Sequence, residues 1–235
     1  MFRRTTEDPG FRDRADAGRR LAARLVAEDL QGDLIVLGLP RGGVPLAFEV
    51  ALALDAPLDV IIVRKLGAPF NPELAVGGIA LGGITAYNER LLADLGLDAA
   101  ALEPIRKRET AELKRRERAY RGDRGPPPIA GRTAILVDDG VATGATMVAA
   151  VTAVRQMDPA ELIVAVPTCS VEASHRLRKV ADRVIALSMP EPYIAVGAWY
   201  QFFDQVSDAE VVDFLARHSH RSTPVETKRN AEPNS

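Results

Sequence analysis

ILVDDGVATGATM, from Ile135 to Met147, sets a short apolar run, two adjacent carboxylates and a small-residue loop directly before a helix. Ile135, Leu136 and Val137 read as the end of a central parallel strand, buried on both faces, and Asp138 and Asp139 stand where that strand emerges. The carboxylates can accept hydrogen bonds from vicinal sugar hydroxyls. Gly140, Val141, Ala142, Thr143, Gly144, Ala145 and Thr146 follow, small enough for a ligand to approach the backbone closely. MVAAVTAV continues as a helix, so loop amides and the positive helix end converge where an anion is stabilised. A sugar phosphate satisfies both halves of the motif. Two other phosphate loops are excluded: no Gly-x-x-x-x-Gly-Lys-Ser/Thr occurs, and no Gly-x-Gly-x-x-Gly follows a strand with an acidic residue about 20 positions on.

The same strand-loop-helix grammar recurs upstream. Leu34 to Leu39 is a strand, PRGGV a turn, and Pro45 suits the first turn of the helix PLAFEVALAL. Gly42 and Gly43 can present amides to a second anion, with Arg41 adding charge. Leu58 to Val63 is a further apolar strand, whose carboxyl end carries Arg64 and Lys65; in an open parallel sheet that end is the ligand side. Leu162 to Pro167 and Arg183 to Met189 complete the strands, joined by a helix over Val171 to Ala181, and Ala15 to Asp29 forms an amphipathic helix before the first strand. The expected fold is α/β: an open, mostly parallel five-stranded sheet with helices on both faces.

Residues 68–128 form an insertion between core strands. Pro69 and Pro72 break the chain, AVGGIALGGITAYN reads as a Gly-rich β-hairpin, and Ala99 to Tyr120 is a polar helix whose basic residues alternate with glutamates. Its default reading is a solvated arm; RNA contact or a lid over a polyanion is the sharper alternative. Pro126 to Pro128 stiffen the return to the sheet. Ser207 and Glu210 form a capping-box pair that opens a terminal helix over Asp208 to Arg217. One domain over 1–218 is expected, with 219–235 disordered.

Bulk properties narrow the setting. A chain of 235 residues with 47% hydrophobic residues can bury a full core. Its formal net charge of -2 gives no general attraction to nucleic acid or anionic membrane. No apolar run approaches the roughly 18 residues that span a bilayer, and a cytoplasmic protein is expected. Cys169 is the single cysteine, so no internal disulfide forms. The histidines, His175, His218 and His220, lack metal-ligand spacing.

The strand, acidic pair and Thr-Gly-x-Thr loop together resemble the signature of the type I phosphoribosyltransferases. The resemblance covers most of Leu34 to Met189. It implies that Asp138 and Asp139 bind the ribose hydroxyls of phosphoribosyl pyrophosphate and that Val141 to Thr146 hold its 5'-phosphate. It further implies that Arg41, Gly42, Gly43, Arg64 and Lys65 receive the diphosphate, and that magnesium chelates it. Arg41, Lys65 and the acidic pair then form the catalytic set, acting by position and charge. A homodimer is the expected assembly, although no residue fixes it. PEPYIAVGAWYQFFDQ concentrates the aromatics: Tyr193, Trp199 and Tyr200 are candidates to stack a nucleobase, while Phe202 or Phe203 reads as core.

The acceptor is less legible. Family members that act on hypoxanthine or guanine carry an aspartate where this chain has Ala142, and a methyl group cannot handle a base proton. RGGVPLA, VRKLGAPFNPELAVGGIA and VGAWYQFF resemble a bacterial set of phosphoribosyltransferases without an assigned acceptor. The leading expectation is transfer of ribose 5-phosphate to a nitrogen acceptor, a nucleobase. A regulator that senses phosphoribosyl pyrophosphate or a nucleotide and contacts RNA, and a sugar-diphosphate hydrolase, stand as alternatives.

Overall fold

The computed structural model describes residues 10–80, 83–122 and 124–222. Five buried runs make one sheet in the order β2-β1-β6-β7-β8, from Leu58–Val60 (β2), Leu34–Gly38 (β1), Thr133–Val137 (β6), Glu161–Thr168 (β7) and Arg183–Ser188 (β8). Every pairing in it is parallel. β6 lies at the centre, and continuous burial along its five residues explains why it reads as unbroken hydrophobicity.

Alternate residues of these strands feed two cores. Val36, Ile135, Val137 and Ile163 meet one helical layer: α1 (Arg14–Val26), α2 (Gly43–Leu54) and α7 (Asp208–Ser222). Leu37, Leu136 and Val164 meet the other, α5 (Ala145–Arg155) and α6 (Val171–Leu177). α1 starts at Asp13, whose carboxylate accepts from the Asp16 amide at 2.8 Å, and buries Leu21 and Leu25. α6 is shorter than its periodicity suggests and closes in a turn after Leu177.

A second, antiparallel sheet of Val63–Ala68 (β3), Asn71–Ala80 (β4) and Thr85–Tyr87 (β5) confirms the hairpin and corrects two expectations. The apolar run from Leu58 does not stay in the main sheet to Val63. Its partner β1 ends at Gly38, whose carbonyl accepts from the Ile61 amide at 3.0 Å, and the chain then pairs with β4 instead. Arg64 and Lys65 therefore lie inside β3, not at the end of a core strand. Nor does Pro72 break the chain: β4 runs through it, with the register shift taken up near Gly67. Leu81 and Gly82 of the hairpin lie outside the described residues.

α3 (Glu89–Asp94) leads to α4 (Ala99–Arg121), the polar helix. It is docked rather than free: Leu102, Leu113 and Tyr120 are buried, and Arg121 clamps Asp59 of β2 through Nε and Nη2 at 2.9 and 2.8 Å. Glu103 and Glu112 pair with Arg106, Arg115 and Arg116 on the same helix, so much of the arm's positive charge is neutralised locally. No helix of the described residues is long and apolar enough to cross a membrane.

The capping box forms as expected. Glu210 Oε2 accepts from the Ser207 amide at 2.8 Å, and the Glu210 amide donates to Ser207 Oγ at 3.2 Å. α7 runs on to Ser222, beyond the expected start of the disordered tail, and 223–235 lie outside the described residues. Ser207→Ala should lower stability by about 1 kcal/mol in urea titrations, the usual worth of such a cap; an unchanged midpoint would show that the cap contributes nothing.

Candidate active site

The carboxyl edge of the main sheet gathers three turns. β1 continues into Pro40, Arg41, Gly42 and Gly43; β6 into Asp138 to Gly144; β7 into Cys169 and Ser170. The first two turns touch. A Cβ on Gly43 would lie 2.4 Å from the Val137 carbonyl oxygen, and one on Gly42 2.0 Å from Asp139 Oδ2. Only glycine fits, which places the Gly42-Gly43 backbone directly on the acidic pair.

The Val141 to Thr146 loop is held from its carbonyl side. The carbonyl of Val141 accepts from the Ser170 amide at 2.9 Å, that of Ala142 from Ser170 Oγ at 2.6 Å, and that of Thr143 from Arg176 Nη1 at 2.9 Å. Gly144, at φ 81°, turns the chain into α5, whose first amides have no partner within the helix. Val141 spends its own amide on the Thr168 carbonyl at 2.9 Å, so the amides that can face an anion are those nearer the start of α5.

Both carboxyls are only partly accessible. Loss of hydration pushes Asp138 well above the usual carboxylate range, the charge of Asp139 pushes it further, and the Asp139 amide opposes the rise by donating to Asp138 Oδ1 at 2.9 Å. Asp139 is also raised by burial, but Arg14 acts against that shift. The Arg14 guanidinium contacts Asp139 Oδ2 through Nε at 2.9 Å and Nη2 at 2.8 Å. It also donates to the Asp204 carbonyl at 2.5 Å and lies 3.9 Å from the centre of the Phe203 ring. α1 reads in the sequence as a packing helix, and nothing near Arg14 announces its partner.

The remaining candidates divide. Lys65 lines a cavity of about 820 Å³ together with Thr143, Ala145 and Thr146 of the loop that opens α5. Arg64 turns the other way and pairs with Glu109 of α4 at 2.7 Å. Arg41 reaches Asp208 at 3.7 Å, where both side chains are nearly half exposed; such a pair is worth little and leaves the guanidinium able to swing.

The aromatic segment closes over the sheet edge, and Val196 packs so near Gly140 that a Cβ there would sit 2.6 Å away. Tyr200 is not a stacking surface. It is 5% exposed, packs between Phe11 and Phe203, and donates its hydroxyl to the Asp139 carbonyl at 2.5 Å. The expected roles are inverted, since Phe202 and Phe203 are the exposed rings. Tyr193 and Trp199 lie 6.0 Å apart between centroids. Among the described residues Trp199 Nε1 is buried without a hydrogen-bond partner; burial pushes the Tyr193 phenol up to about 12, and the neighbouring Thr168 hydroxyl acts against the rise.

The family model described as the phosphoribosyl transferase domain matches residues 12–207. Proteins from two strains of Mycobacterium tuberculosis, named provisionally as phosphoribosyl transferases, are 48% identical over 212 residues, covering 90% of this chain and 47% of theirs. The chain spans about half the length of these curated relatives. A solved structure from Thermus thermophilus is 45% identical with a TM-score of 0.82, over 88% of this chain and 98% of that one.

Proposed function

The chain belongs to the phosphoribosyl transferase domain family, and on that premise we propose that it transfers ribose 5-phosphate from magnesium phosphoribosyl pyrophosphate to a nitrogen acceptor. The observation that carries this reading is the acidic pair on the central strand, flanked by the Gly42-Gly43 turn and by the loop that opens α5. The loop amides and the start of α5 take the 5'-phosphate. The acidic pair takes the ribose hydroxyls, and the Gly42-Gly43 amides receive the diphosphate. Arg41 and Lys65 add positive charge there. As the C1–O bond breaks, negative charge collects on the departing diphosphate and positive charge on the ring. Fixed dipoles and cations stabilise the first, and the carboxylate beneath the ring stabilises the second.

Among the described residues no three His, Cys, Asp or Glu side chains gather to hold a cation. Magnesium enters with the donor, where it would offset diphosphate charge, and Asp138 is the carboxyl that could touch it. The acceptor is assigned to the Tyr193 and Trp199 side, where the buried indole N–H of Trp199 lacks a partner among the described residues and can donate to a nitrogen heterocycle. Ala142 in the loop supports an acceptor other than a 6-oxopurine.

Calorimetric titration of phosphoribosyl pyrophosphate, with and without magnesium, tests the donor. Binding that requires the metal is expected, and no heat in either condition would defeat the reading. A screen of nucleobases and other amines for acceptor-dependent pyrophosphate release tests the reaction; release at the same rate with no acceptor would mark a hydrolase instead.

A further inference from the structure

The loop that opens α5 offers a ligand its backbone, and the direction of its peptide groups is set from outside the loop. The Ser170 amide donates to the Val141 carbonyl at 2.9 Å, Ser170 Oγ to the Ala142 carbonyl at 2.6 Å, and Arg176 Nη1 to the Thr143 carbonyl at 2.9 Å. Three successive carbonyls thus point at the turn from β7 into α6. The peptide bonds from Val141 to Gly144 are all trans, and across a planar trans peptide the carbonyl of one residue and the amide of the next point in opposite directions. The amides of Ala142, Thr143 and Gly144 therefore face away from α6, side by side. None of the three donates a hydrogen bond among the described residues. A row of like-directed amides makes a concavity for an anion.

The donors that hold the carbonyls are unequal. Arg176 is half exposed and shared with Glu172, so water can replace it. Ser170 is 9% exposed, and its hydroxyl works in both directions: it donates its proton to Ala142 and accepts from the Ala173 amide at 3.0 Å, capping α6. The helix fixes the hydroxyl, and the hydroxyl fixes the peptide. Gly144 completes the fit, since a Cβ there would lie 3.2 Å from that of Ala173.

We infer that Ser170 is a positioning residue, tethering the Val141 to Thr146 loop to α6 and so aiming the Ala142, Thr143 and Gly144 amides at the ligand's 5'-phosphate. This rests on the donor assignment above for the identity of the phosphate. Ser170 acts through the loop backbone alone. Without the hydroxyl, the Ala142 carbonyl loses its buried donor, and the same peptide plane carries the Thr143 amide with it when it rotates.

Inorganic phosphate, followed by backbone-amide NMR, tests the tether without the donor. Phosphate should move the Ala142, Thr143 and Gly144 resonances of the native chain. Ser170→Ala should weaken that binding about tenfold, the worth of one lost hydrogen bond. Ser170→Thr keeps the hydroxyl and should restore it. Ser170→Gly separates tether from cap, because glycine starts a helix nearly as well as serine yet has no hydroxyl; it should lose affinity as Ser170→Ala does. Unchanged affinity in Ser170→Ala, affinity kept in Ser170→Gly, or phosphate shifts that bypass the three amides would each overturn the inference. Affinity for phosphoribosyl pyrophosphate, measured by calorimetry, should fall in parallel, and an undiminished value in both hydroxyl-free variants would equally overturn it. A native chain whose three amides respond to phosphate but which takes up no phosphoribosyl pyrophosphate would instead defeat the proposed reaction and leave the role of Ser170 standing.

Discussion

Asp138→Asn is expected to raise the melting temperature at neutral pH while weakening binding of phosphoribosyl pyrophosphate about 100-fold. The two effects share a cause. The Asp138 carboxyl sits among protein atoms beside a second carboxyl, and its proton affinity in the folded state is well above the ordinary value of 3.8. The folded chain therefore holds a proton at pH values where the unfolded chain has released it. The resulting stability is fully present below the ordinary value and is lost as pH rises through the raised one. Asparagine keeps the shape and removes the charge, so the variant should gain on the native protein as pH rises from acid to neutral. Each kcal/mol recovered is worth about 2–4 °C in a chain of this size. Binding falls because a hydrogen bond to a charged acceptor is worth about 1.5–3 kcal/mol, and asparagine removes the charge from the ribose contact of Asp138. Melting curves between pH 4 and 8 beside calorimetry check both halves. A variant that melts lower than the native protein at pH 7, or that binds the donor normally, contradicts the account.

Arg121→Ala should be the most damaging single change away from the ligand groups, at about 3–5 kcal/mol, because it leaves Asp59 buried without its cation. Arg121 is 6% exposed and Asp59 8%, and the fork-to-carboxylate geometry is bidentate. The loss should appear as a fall of about 6–20 °C in melting temperature. Replacing both partners, Arg121→Met with Asp59→Leu, should restore most of it, since neither charge is then stranded. Equal melting of Arg121→Ala and the native chain would mean that the pair is solvated in solution. Function should suffer too. α4 packs on β3 and β4, the strands that carry Lys65 and wall the cavity beside the loop that opens α5.

What can be read from sequence follows from distance along the chain. The main-sheet strands are legible because parallel strands covered on both faces are continuous apolar runs, and the acidic pair and its loop because strand, turn and helix are contiguous. Arg14 is not, since its partner is 125 residues away. The run Leu58 to Val63 looks uniform, and nothing in it marks where β1 runs out and pairing passes to another sheet. Around Trp199 the aromatic content is visible, but which ring faces inward depends on Phe11 and Arg14, and the structure reverses the expectation for Phe203 and Tyr200. α4 looks solvated because a few large side chains and one buried arginine do the docking, not a broad apolar stripe.

The ion pair between Arg14 and Asp139 also has a consequence in time. Its ends are 125 residues apart, and its brace at Asp204 is 190 residues from Arg14. Contacts of such range are slow to close. A chain growing from its amino end has made the Val141 to Thr146 loop and the Gly42-Gly43 turn well before it makes Asp204. Both turns are therefore in place in the sequence before the segment around Asp204, and the Arg14 guanidinium is fully braced only when that segment packs back onto the first helix.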